Sequence, residues 1–193
     1  MELLRATLQT PVGPMLAFAS ERSLCALEFD TGSRLTRLEA RLAQFYGSPR
    51  IGSGKGEIHA RVEAWLEHYF AGASAEIGTL PLDARGTPFE TAVWAALVTI
   101  PSGATTSYGR IAERVGGTAA ASRAVGLANG ANPIAIIVPC HRVIGANGTL
   151  TGYGGGLDRK LWLLQHEERW WPGDTSLSRV SRESRQRTLE FSA

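Results

Sequence analysis

The string Val138-Pro139-Cys140-His141-Arg142-Val143 sets a thiol, an imidazole and a guanidinium in succession. The thiolate, not the thiol, is the competent nucleophile, and a nearby cation or base lowers the pKa that controls it. His141 and Arg142 supply such a field on one short segment. A lone cysteine is most often a small buried hydrophobe, but a proline before this one and a glycine-rich loop after it argue for chemistry. Adjacent side chains on a strand point apart, so His141 is not expected to touch Cys140 directly; a water or third group would complete a relay. A base must itself be oriented, which makes a carboxylate the natural third member. Glu167 is the first choice and Glu168 the fallback, because spacing does not separate them.

The elements that would position these residues are readable in outline. LLRATLQT, PMLAFAS and LCALEFD read as strands joined by turns. SRLTRLEARLAQFYG places Leu35, Leu38, Leu42 and Phe45 on one helical face, with Gly47 as its stop. EIHARVEAWLEHYFAG repeats at helical spacing after the Gly/Ser-rich IGSGKG. The turn-rich stretch 72–86 suggests a boundary near residue 84, giving domains at 1–83 and 84–170. Thr87, Pro88 and Glu90 form a capping signal for a helix that ends before Pro101. A helix from Ser107 to Gly116 and a third, capped by Thr118, make a helix-turn-helix candidate. IAIIV at 134–138 reads as a short β-type run leading to Cys140. The segment 145–156 holds six glycines, and DRKLWLLQHEE reads as a final helix. The tail, 171–193, is polar and expected to be mobile.

Composition excludes several classes. The 193 residues are 44% hydrophobic and 20% charged, as in a globular protein with a sizeable core. No apolar run approaches the ~20 residues of a membrane helix, and the start shows no secretory h-region. Two cysteines, Cys25 and Cys140, make neither a disulfide framework nor a multi-cysteine zinc site, which favours a reducing, cytoplasmic setting. Charge is uneven. Residues 1–83 carry eight basic and ten acidic side chains, net −2; residues 84–170 carry eight and five, net +3. The second segment is the one suited to a polyanion.

The run NPIAIIVPCHRVIGANGTLTGYGGGLDRKLWLLQHE resembles the signature of the O6-alkylguanine-DNA alkyltransferases, the methylated-DNA–protein-cysteine methyltransferases. The likeness extends upstream through TPFETAVWAAL, TSYGRIAERVG and ASRAVGLANGANP, covering residues 84–168. TPVGPMLAFASERSLCALEF resembles the first strands of bacterial members. The resemblance implies an N-terminal RNase-H-like α/β domain and a C-terminal winged-helix-like helical domain. It also implies irreversible, stoichiometric transfer of an alkyl group from O6-alkylguanine in double-stranded DNA to Cys140, with O4-alkylthymine left open. Minor-groove binding, a monomer and no cofactor come with it.

By the same resemblance Arg123 fills the stack vacated by a flipped base, Tyr108 helps rotate the nucleotide and donates to the guanine, and Ala119, Ala120, Ala121, Ser122 and Ala124 approach the groove. Cys140, a water, His141 and Glu167 form the relay, and Arg142 makes a structural ion pair after Pro139. Asn132 fixes a turn, Tyr153, Gly154, Gly155 and Gly156 form a lid, the Cys140 and Val143 backbones read the base edge, and Lys160 lies near the pocket. Gly154 stands where mammalian members carry serine, which removes a side-chain hydroxyl from the lid. No zinc ligand set is expected around Cys25, His59 and His68. Three other readings predict different behaviour: an alkyltransferase-like binder without an acceptor, which Cys140 opposes; a sequence-specific helix-turn-helix regulator; and a cysteine hydrolase with burst kinetics.

Overall fold

The computed structural model describes residues 1–73, 77–172 and 180, and most of the tail read as polar and mobile lies outside them. Two compact units emerge: residues 1–87 with 133–137, and residues 88–132 with 138 onward.

In the first unit, strands β1 (Glu2–Leu8), β2 (Met15–Ala19) and β3 (Leu24–Phe29) form an antiparallel meander. β2 and β3 are buried at every position, which explains why they read as continuous apolar runs. Helix α1 (Gly32–Tyr46) follows and stops at Gly47, whose φ of 70° is the left-handed conformation glycine adopts without a steric penalty. The chain then returns as β4 (Arg50–Ser53), parallel to β1, in a sheet ordered β3-β2-β1-β4. Sequence reading misses β4: Arg50-Ile51-Gly52-Ser53 holds one apolar residue, and its pairing comes from β1 rather than from its own propensity. Helix α2 (Glu57–Phe70) buries Ile58, Val62, Trp65, Leu66 and Tyr69. His59 Nδ1 accepts from the Gly56 N–H at 3.1 Å, so this imidazole serves the start of its own helix.

In the second unit, α3 (Pro88–Val98) begins at the expected proline. The short strand β5 (Thr106–Ser107) leads into α4 (Tyr108–Arg114), where the Ser107 side chain accepts from the Arg110 N–H. Thr118 precedes a 3-10 turn over Ala119–Ala121 and makes no side-chain cap bond, and α5 (Ser122–Gly130) starts only after it. The expected single helix from Thr118 is therefore divided. An alanine-rich run carries helix propensity but no polar pattern to mark its start. Strand β6 (Val143–Ile144) pairs in parallel with β5, and α6 (Leu157–Trp170) closes the unit. Among the described residues no helix is long and apolar enough to cross a membrane.

The expected β-type run at 134–138 is corrected. Only Ile134 makes a bridge, to Leu27, flanked by Leu27 N–H to Pro133 O and Ala135 N–H to Leu27 O, both 2.8 Å. The chain then turns, with Ile136 at φ 69°. All five residues are buried, and uniform burial erases the period that separates a strand from a buried turn. A left-handed β-branched residue costs about 1–3 kcal/mol, and this one stands four residues before Cys140.

Candidate active site

Cys140 follows this turn in a 3-10 helix, Cys140–Arg142, not on a strand. Two asparagines brace it. Asn132 Nδ2 donates to Val138 O at 2.8 Å, and Asn129 Nδ2 to Cys140 O at 3.3 Å. The Val143 N–H also donates to Cys140 O, so that carbonyl already accepts twice. Cys140 is 6% exposed and His141 fully buried.

Below the turn lies a buried ion cluster. Glu167 Oε1 stands 2.8 Å from His141 Nε2, and Arg142 reaches the same carboxylate through Nη2 to Oε1 at 2.8 Å and Nε to Oε2 at 3.0 Å. The Gly103 N–H donates to Oε2 at 3.1 Å, and Arg142 Nη2 also donates to Ser102 Oγ at 2.9 Å. Burial would raise the Glu167 carboxyl, but His141 and Arg142 outweigh it and hold it far below the usual carboxylate range. Burial lowers the His141 pKa against the pull of Glu167, so near neutral pH the imidazole is uncharged and Arg142 alone supplies the countercharge. An ionised carboxylate accepts only. His141 Nε2 must therefore carry the hydrogen, and Nδ1 bears the lone pair. That Nδ1 is buried and meets no hydrogen-bonding group of the protein.

Above the turn, β5 and β6 set Tyr108 beside the active segment, with Thr106 opposite Val143. Tyr108 Oη donates to Thr151 O at 3.1 Å. Lys160 Nζ donates to Val143 O at 2.7 Å and to Thr151 O at 2.9 Å, and lies 5.9 Å from the Tyr108 ring centre. Burial pushes Lys160 down to about 8, opposed by a Cys140 thiolate. Burial raises Tyr108, the Thr151 bond lowers it, and the same thiolate raises it again. Both groups thus sense charge on Cys140. Lys160 and Glu167 are seven residues apart on α6, two turns along one buried face. Glu168 is only half-buried and belongs to another face.

The remaining sequence-derived residues fall as follows. Tyr153 stands edge-on to His141, ring centres 6.5 Å apart. Gly154 is half-buried, Gly155 buried, and Gly156 opens α6 at φ 94°. Arg123, Ala119, Ala120 and Ala124 are exposed, while Ala121 and Ser122 are half-buried. Asn129, Gly103, Ser102 and the Thr151 carbonyl escaped sequence reading. Three of these act through backbone or a small hydroxyl, which leave no mark in residue type, and Asn129 reads as one more turn asparagine.

Comparison with known proteins identifies the family that this chain resembles along its length. Residues 88–169 match the 6-O-methylguanine DNA methyltransferase DNA-binding domain, and residues 3–84 its ribonuclease-like domain. A methylated-DNA–protein-cysteine methyltransferase of Shigella flexneri is 46% identical over 86% of this chain and 96% of its own length. That of Mycobacterium tuberculosis strain H37Rv is 47% identical over 89% and 96%. The crystal structure of Mycobacterium tuberculosis OGT in complex with DNA superposes with a TM-score of 0.72 at 40% identity, covering 93% of this chain and 96% of that one. On this evidence the chain belongs to the 6-O-methylguanine DNA methyltransferase family, with its ribonuclease-like and DNA-binding domains in that order.

Proposed function

We propose that this protein repairs DNA by taking the alkyl group of O6-alkylguanine permanently onto Cys140 Sγ. The observation that carries the reading is the buried His141–Glu167 pair, which fixes the ring so that its Nδ1 lone pair lies on the residue next to the thiol. A water between Sγ and Nδ1 passes the thiol proton to His141. The thiolate attacks the alkyl carbon in line, the S–C bond forms as the C–O6 bond breaks, and the electron pair leaves with guanine. Tyr108 donates toward the base as charge develops and the guanine recovers a proton. A thioether is not hydrolysed, so each molecule acts once.

The base reaches Cys140 only outside the stack. The exposed face of the 3-10 turn and α5, with Ala119, Ala120, Ala124 and Arg123, suits a narrow groove, and Arg123 fills the gap left by the flipped nucleotide. We read the groove as the minor one, the protein as a monomer, and its compartment as the cytoplasm. The Val143 carbonyl, and the lid Tyr153–Gly155, meet the base and its alkyl group.

The test is Cys140→Ser. A serine hydroxyl is scarcely ionised near neutral pH, so transfer from duplex O6-methylguanine should vanish while binding to that duplex persists. Methyl transfer by the serine variant at a comparable rate would overturn the assignment.

A further inference from the structure

Among the described residues, one buried side chain of the second unit lies beyond residue 169, where the match to the DNA-binding domain ends. Val180 is 1% exposed and shares an apolar cluster with Ile144, Leu150, Leu161 and Leu164. Three of these partners are the immediate chain neighbours of the Lys160 network. Ile144 follows Val143, Leu150 precedes Thr151, and Leu161 follows Lys160, while Lys160 Nζ donates to the Val143 and Thr151 carbonyls. Those carbonyls stand at opposite ends of a loop closed by its own hydrogen bonds, Gly145 N–H to Thr149 O at 2.8 Å and Gly148 N–H to Gly145 O at 2.9 Å, so the loop moves as one piece and its seat on the rest of the unit sets where both carbonyls stand. Ile144 and Leu150 seat that loop on Leu161, Leu164 and Val180, which brings both carbonyls to the Lys160 ammonium. The Thr151 carbonyl also takes the Tyr108 hydroxyl, so displacement there reaches the group placed to assist the leaving base.

We propose that Val180 is a positioning residue for alkyl transfer: by completing the apolar cluster behind Lys160, it holds the Val143 and Thr151 carbonyls in register and keeps water from the lysine. The inference rests on Cys140 being the alkyl acceptor, but its physical content concerns Lys160 and is measured separately. A carboxylate in this cluster would open it to water. The ammonium would then be solvated, and the two carbonyls would no longer be set by packing. Val180→Ile keeps the apolar contact, Val180→Ala weakens it, and Val180→Asp breaks it.

The experiment uses the full chain and two readouts: the rate of Cys140 alkylation by free O6-benzylguanine and by duplex O6-methylguanine, and the titration of the Lys160 ammonium by heteronuclear NMR. Small misplacements of positioning groups cost up to ~10²-fold, so Val180→Asp should slow both reactions by about tenfold or more. Its Lys160 titration should move up from about 8 toward 10.5. Val180→Ala should fall between Asp and wild type, and Val180→Ile should restore both readouts. Wild-type rates and titration in Val180→Asp overturn the proposal. So does a loss confined to duplex substrate, which would mark a DNA contact instead. If the aspartate variant does not fold, Val180→Ala decides by the same two readouts. If wild type takes no alkyl group, the acceptor reading fails, and the Lys160 titration alone still decides whether Val180 shields it.

Discussion

Glu167 serves two partners with different requirements, and that division sets what each substitution does. Arg142 is permanently charged and 4% exposed, whereas His141 is held neutral by burial. Glu167→Gln leaves the guanidinium buried without a countercharge, so it should destabilise by about 3–5 kcal/mol. It should also slow transfer, because loss of general-base assistance is worth ~10²–10⁴-fold. His141→Ala should show the kinetic loss with the Arg142–Glu167 pair intact, and Glu168→Ala should stay within about 0.5 kcal/mol of wild type. Urea unfolding and single-turnover rates measured together check all three; equal effects of Glu167→Gln and Glu168→Ala would contradict the relay. At this scale the sequence is informative where reactive types adjoin, as at Cys140 and His141. It is silent between Glu167 and Glu168, because the stripe through Leu161 and Leu164 admits either acid until the packing of α6 is known.

At the scale of elements, the second unit presents α5 by burying one face and exposing the other. Val125, Ala128 and Asn129 point inward, Leu127 is 74% exposed, and Arg123 and Ala124 share the open face. Gly117 lets the turn before α5 close tightly: a Cβ there would stand 3.2 Å from Ala112 O, so a larger residue would press on the backbone of α4. If Arg123 fills the vacated stack as proposed, Arg123→Ala should slow repair of duplex DNA strongly, because a plug would offset an unstacking cost of a few kcal/mol. It should leave the reaction with free O6-benzylguanine nearly unchanged, since that base needs no flipping. Equal losses on both substrates would make Arg123 a general support of the site. Helices α1 and α2 were legible because each has a wet and a dry face, and α3 through its capping residues, whereas the start of α5 was not. β4 and the turn at 134–138 were not, the first lacking any apolar pattern and the second being apolar at every position.

For the whole molecule, the buried titratable groups make stability depend on pH at both ends. The unfolded chain keeps Lys160 protonated to about 10.5, the folded one only to about 8. Between those values the unfolded state holds the extra proton, so stability should rise with pH, by about 3 kcal/mol at most. His141 acts on the acid side. Below its ordinary value of ~6.5 the unfolded chain binds a proton that the folded imidazole takes up only at lower pH, so stability should fall as pH drops. The Glu167 contribution, present above ~4.3, is lost below it. Chemical unfolding across pH checks these windows, with Lys160→Met flattening the alkaline rise and His141→Gln the fall near neutrality. The architecture was visible to the sequence through family likeness more than through pattern, because the helix-turn-helix and PCHRV string are local whereas sheet order and the fate of residues 133–137 depend on distant partners. Two thiols also provide an internal control. Cys25 is fully buried, and burial pushes its pKa up, whereas Cys140 adjoins the relay. The most direct test is the intact mass and peptide map of the protein after mixing with excess duplex containing O6-methylguanine. A single added methylene on the Cys140 peptide, with Cys25 unmodified and no further reaction, is the predicted result. Continued loss of O6-methylguanine with Cys140 unaltered, or modification of Cys25 instead, would contradict it.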